Sequence, residues 1–251
     1  MPVIAMRILL TILVLLSAAS QAQQQTDTAD PAERGRYLAT VGNCKHCHSV
    51  EGGAAFAGGA AFSTDFGVIY STNITPDPAA GIGTWTLEQF TRAMREGIAA
   101  DGTKLYPAFP YPSFTKITDG DLKDIFAYLQ TVAPTPNTPP ENDMSFPFSQ
   151  RSLMGVWNKL FLDNARFAAN ESKSAEWNRG AYLVQGLGHC GSCHTPRNAL
   201  GAEQADRALS GGTYNDEVEA GMLRPWSAVN LTSAPDGLAA WSVDDIRGYL
   251  S

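Results

Sequence analysis

Apolar and polar positions recur along this chain with a helical period, and side-chain caps frame the recurring stretches. Asp30-Pro31-Ala32-Glu33 sets a capping side chain before a proline at the first helical position and predicts a helix through Tyr37, Leu38 and Val41. Thr86-Leu87-Glu88-Gln89 is a capping box ahead of Phe90, Ala93 and Met94. Thr118-Asp119-Gly120-Asp121 opens a third helix whose stripe is Leu122, Ile125, Phe126 and Leu129. Ser242-Val243-Asp244-Asp245 starts a fourth, through Ile246, Tyr249 and Leu250. No strand pattern competes, so the expected class is all-α.

Two stretches depart from this rhythm. Ala133-Pro134-Thr135-Pro136-Asn137-Thr138-Pro139-Pro140 reads as a stiff polar linker. Beyond it, Leu153, Trp157, Leu160 and Phe161 sit at helical spacing beside Arg151, Lys159 and Asp163. This segment is expected to be a strut between two units; the other reading is an amphipathic helix that binds a membrane or a partner. At the N-terminus, Arg7 precedes the apolar run Ile8 to Leu16 and the small-x-small site Ser20-Gln21-Ala22. That is the form of a secretory signal peptide over residues 1–22, which places the mature chain outside the cytoplasm, in a periplasm.

The chain also repeats. Arg34-Gly35-Arg36-Tyr37-Leu38 returns as Arg179-Gly180-Ala181-Tyr182-Leu183, and Asn73-Ile74-Thr75 with Trp85-Thr86 returns as Asn230-Leu231-Thr232 with Trp241-Ser242. Two homologous units follow, over 30–133 and 175–251, with linker and strut over 134–174.

Composition narrows the function. At 251 residues and 44% hydrophobic, the chain can build a packed core. A net charge of -7 with no basic run excludes nucleic acid as a partner. No apolar stretch reaches the ~20 residues needed to cross a bilayer. All four cysteines fall in Cys44-Lys45-His46-Cys47-His48 and Cys190-Gly191-Ser192-Cys193-His194. C-x-x-C-H is the signature of covalent c-type haem attachment. The two thiols add across the haem vinyl groups, and the histidine that follows becomes the proximal iron ligand. This predicts two haem c groups, held by Cys44, Cys47, Cys190 and Cys193, with His48 and His194 on the irons. A thioredoxin-type C-x-x-C lacks its βαβ setting here, and a zinc site lacks its fourth ligand. His46 and His189 are expected only to face solvent or pack their own loops.

The chain resembles the multi-haem cytochrome c subunit of bacterial periplasm-facing alcohol, gluconate and sorbitol dehydrogenases. The resemblance rests on Arg34 to Leu38, Ile69-Tyr70-Ser71-Thr72-Asn73-Ile74-Thr75-Pro76-Asp77, Gly81-Ile82-Gly83-Thr84-Trp85 and Gly188-His189-Cys190-Gly191-Ser192-Cys193-His194-Thr195-Pro196-Arg197-Asn198. It implies two tandem class I-like cytochrome c domains and a role as an electron-transfer subunit without substrate chemistry of its own. A dehydrogenase catalytic subunit would supply electrons and quinone or a terminal oxidase would accept them, at the outer face of the cytoplasmic membrane.

Two departures from the family change the expectation. The family often carries Met, the distal iron ligand, in the segment that reads Tyr106-Pro107-Ala108-Phe109-Pro110-Tyr111-Pro112 here, and Phe109 cannot ligate iron. Met94 reads as core, and Met144, Met154, Met222, Lys104, Tyr106 and Tyr111 are weaker substitutes. The first haem is therefore expected to be five-coordinate or weakly ligated, which motivates the alternative of a peroxidase-like or gas-binding protein with an open iron position. The repeat offset also carries the counterpart of Phe109 past Ser251, so the second unit is expected to be incomplete. The chain is then a fragment of a longer product or a shortened relative.

Overall fold

The computed structural model describes residues 30–219 and 222–250, and the expected signal peptide over 1–22 lies outside the described residues. In the first unit α1 spans Pro31–Val41 and α2 is the single turn Cys44–Cys47. The strands β1 (Ala61–Thr64) and β2 (Gly67–Tyr70) precede α3 (Leu87–Glu96), the turn α4 (Tyr111–Phe114) and α5 (Asp119–Leu129). The connection carries β3 (Asp143–Met144) and α6 (Leu153–Phe161). The second unit holds α7 (Ala175–Tyr182), a π-helical turn over Leu183–Leu187, the turn α8 (Gly191–His194), strands β4 (Gly212–Glu219) and β5 (Met222–Ala228), and α9 (Val243–Leu250).

Local chemistry starts each main helix. The Asp30 carboxylate accepts from the Ala32 amide ahead of α1. Thr86 and Gln89 exchange both bonds of a capping box ahead of α3. Thr118 accepts from Asp121 at 3.2 Å ahead of α5, and Ser174 from Trp177 ahead of α7. α1 crosses α5 at Gly35, where a β-carbon would collide with the Asp124 carbonyl, so only glycine permits the approach. Arg34 bridges Asp121 and Asp124 beside the crossing.

The main core lies under this crossing. Leu38, Phe56, Phe90, Met94, Leu122, Ile125 and Leu129 form it, and Leu187 of the second unit completes it. Burying each large side chain contributes about 2 kcal/mol. A second cluster joins Tyr106 and Tyr111 to Met154 and Trp157 of α6 and to Ala202. α6 is tied on both sides: the Tyr111 hydroxyl donates to Asn158 Oδ1 at 2.7 Å, and the Trp157 indole N–H donates to the Leu200 carbonyl at 2.9 Å. Its outer residues Leu153, Val156 and Leu160 are exposed.

The all-α expectation is corrected by the strands. β1 and β2 pair antiparallel, Ala61 against Tyr70 through Thr64 against Gly67, and β3 adds to β2. β4 and β5 form a second antiparallel hairpin that packs against β1. The first turn closes locally, with the Thr64 hydroxyl donating to the Gly67 carbonyl at 2.8 Å and accepting from the Phe66 amide. The four-residue runs of β1 and β2 are too short to announce themselves against a helical background.

Candidate functional site

Each C-x-x-C-H segment folds as one helical turn. Asn43 adopts a left-handed conformation, φ 54°, and starts the turn Cys44–Cys47. The His48 amide then donates to the Cys44 carbonyl at 3.0 Å. Residues three apart on a helix share a face, so the turn presents both thiols to one side. In the second unit the His194 amide donates to the Cys190 carbonyl, also at 3.0 Å.

The two histidine rings are held alike. His48 Nδ1 lies 2.7 Å from the Thr72 carbonyl oxygen, and His194 Nδ1 lies 2.7 Å from the Val229 carbonyl oxygen. A carbonyl only accepts, so Nδ1 carries the proton and Nε2 keeps its lone pair. That is the tautomer a metal-ligating histidine needs, with its orientation fixed from behind. Burial also moves the His48 pKa down, which favours the neutral ring that ligates iron.

A shared backbone frame positions both carbonyls. Gly58 donates to the His48 carbonyl at 2.8 Å, and Gly211 donates to the His194 carbonyl at 2.8 Å. Phe56 and Leu209 each have φ 63°, and their carbonyls accept from Ile74 and Leu231. Asn73 Oδ1 accepts from the amide and hydroxyl of Thr75, and Asn230 Oδ1 accepts from the same groups of Thr232. Gly58 is required, because a β-carbon there would meet the Thr72 backbone whose carbonyl holds His48. Thr72 and Val229 carry no side-chain signature, since they act through backbone oxygen. Their one trace in the sequence is their place just before the repeated Asn-x-Thr.

The donor set fits haem attachment better than the competing chemistries. Burial pushes the Cys44 thiol up to about 12 and also raises Cys47, Cys190 and Cys193. A redox-active C-x-x-C has a depressed thiol instead. Among the described residues no group of three or more His, Cys, Asp or Glu is placed to hold a metal ion. Cys44 packs against the main apolar core, the environment a buried porphyrin face requires.

Other candidates fall in several places. Phe109 is partly buried between the two clusters and meets Phe114 edge-on at 5.5 Å. Met94 is buried in the main core, Met154 in the second cluster, and Met144 is partly buried beside it. The Met222 side chain lies outside the described residues. His46 is exposed, whereas His189 packs between the units.

Fold and site together define a tandem pair of small helical units, each with a C-x-x-C-H turn and a histidine anchored through Nδ1. Residues 32–133 match the cytochrome c family model. The diheme cytochrome c-type of Cereibacter sphaeroides is 38% identical over 225 residues, covering 88% of this chain and 72% of that protein. The chain belongs to the cytochrome c family. The gluconate 2-dehydrogenase cytochrome c subunit of Pantoea cypripedii is 42% identical over 249 residues, 97% of this chain and 55% of that protein. A nicotinate dehydrogenase subunit of Pseudomonas putida is 50% identical over 219 residues, 87% of this chain and 18% of that protein. The chain thus spans about half, or less, of the length of these last two relatives.

Proposed function

We propose that this chain is a dihaem electron carrier that takes electrons from a dehydrogenase catalytic subunit and passes them toward quinone or a terminal oxidase. The carrying observation is the paired anchoring of His48 and His194 through Nδ1, each behind a C-x-x-C turn. Bound haem c supplies one-electron redox chemistry at each unit. Cys44 with Cys47, and Cys190 with Cys193, are the thioether positions. His48 and His194 offer Nε2 to the irons, and the Thr72 and Val229 carbonyls hold the rings turned. The units are residues 30–133 and 175–251, joined over 134–174.

The partner follows from the relatives, one of which is named as the cytochrome c subunit of a gluconate dehydrogenase. Such a subunit needs no substrate site of its own, and the same relatives favour the carrier over a peroxidase-like or gas-binding protein. Arg7 with the run Ile8 to Leu16 supports export and a periplasmic place beside the cytoplasmic membrane. Among the described residues no helix is long and apolar enough to cross that membrane.

The test is a reduced-minus-oxidised optical spectrum of the purified protein and of His194→Ala. The unsubstituted protein is expected to show c-type bands from two haems, and the variant to change the bands of one haem only. A variant spectrum identical to the unsubstituted one would remove His194 from the iron.

A further inference from the structure

The two attachment loops meet, and His189 stands at the meeting point. It precedes Cys190 and has a left-handed backbone, φ 38°. Its ring lies edge-on to Phe114 of the first unit, centroids 5.5 Å apart. Its Nε2 lies 3.3 Å from the Gly42 carbonyl oxygen. Burial favours the neutral ring, and the carbonyl only accepts, so Nε2 carries the proton.

The seam around this contact is closely packed. A β-carbon on Gly42 would lie 3.6 Å from Cys44 Sγ and 3.0 Å from Leu187 Cδ1. Leu187 is 1% exposed and belongs to the first unit's core. The π-helical turn fixes the approach, with Gly188 donating to Leu183 at 2.7 Å and His189 donating to Gly186 at 3.0 Å. A second tie lies nearby, where the Tyr182 hydroxyl donates to Asp121 Oδ2 at 2.5 Å and accepts from the Thr118 amide. Cys44 and Cys190 are therefore separated by Asn43, Gly42, one hydrogen bond and His189.

We propose that the hydrogen bond from His189 Nε2–H to the Gly42 carbonyl couples the two attachment loops electronically, which makes His189 a positioning residue for electron exchange between the units. The proposal rests on the dihaem reading. Covalent and hydrogen bonds carry electronic coupling better than a gap of the same length, and this bond also fixes the separation of the loops. The exchange moves one electron from the reduced unit to the oxidised unit and is balanced without a proton or an added reactant.

The experiment compares the haem-loaded protein with His189→Leu, which removes the donor, and His189→Gln, whose amide can donate the same bond. Haem content and both reduction potentials are measured first. Electron redistribution between the units is then followed after partial photoreduction. His189→Leu is expected to slow redistribution severalfold at unchanged potentials, and His189→Gln to recover most of the rate. Equal rates in all three proteins would overturn the proposal. Loss of the second haem in both variants would also overturn it, by assigning His189 to attachment. An unsubstituted protein without haem would instead overturn the dihaem reading itself.

Discussion

The two units repeat one site on unequal scaffolds. Around the histidines they share the main backbone bonds, including the 2.7 Å contact from Nδ1 to a carbonyl. Away from the site they diverge. In the first unit α1 is crossed by α5, and α3 buries Phe90, Ala93 and Met94. In the second, no helix among the described residues crosses α7 as α5 crosses α1, and α9 buries no residue. Trp85 packs on the main core, while its counterpart Trp241 is 44% exposed. Tyr37 is exposed, but its counterpart Tyr182 is buried against α5 of the first unit. The site geometry is thus carried by short backbone contacts within each loop, while the helices described around the two loops differ.

The largest effect should come from removing attachment cysteines. Replacing Cys190 and Cys193 with Ala is expected to cost one haem and leave the first unit folded. Replacing Cys44 and Cys47 should cost the other haem and also lower the melting temperature of the whole chain, because Cys44 packs on the shared core. Haem content and thermal melting read both outcomes, and the reverse ranking would break the comparison.

Core truncation should separate the units next. Leu122→Ala is expected to destabilise by about 2–5 kcal/mol in urea denaturation. Leu250, 79% exposed on α9, should change stability by less than about 0.5 kcal/mol when replaced with Ala.

The repeated glycines give a sharper pair. Gly35→Ala forces α1 away from the Asp124 backbone and should destabilise clearly. A β-carbon on Gly180 meets nothing, so Gly180→Ala should be neutral or stabilise by up to about 1 kcal/mol through helix propensity. Equal losses from both would mean that α7 is covered as closely as α1.

The smallest effect is a pH dependence. Burial holds the folded His189 pKa below its ordinary 6.5, so the unfolded chain takes up the proton first. The stability from this group is complete above that value and is lost as pH falls toward the depressed folded pKa. Urea midpoints measured on either side of pH 6.5 should fall toward acid, and His189→Gln should flatten part of that fall.

What the sequence discloses follows the range of the interactions. Asp30, Thr86 with Gln89, and Thr118 cap their helices through bonds spanning two or three residues, so the first-unit helices were legible. The two C-x-x-C-H turns were legible as motifs because their residue types recur at one fixed spacing. The β1–β2 hairpin was not, since strands of four residues gain their register from distant help: the Tyr70 amide donates to Asn142 Oδ1 at 2.9 Å. The Thr72 and Val229 acceptors are backbone atoms. The placing of His189 against Gly42 spans 147 positions and depends on how the two units pack.

The central claim is that both turns carry haem covalently. The most direct measurement is the mass of the denatured chain after extraction with acidic organic solvent, which strips haem that is not covalently attached. The account predicts the mass of the polypeptide plus two haems. The mass of the bare polypeptide would contradict it.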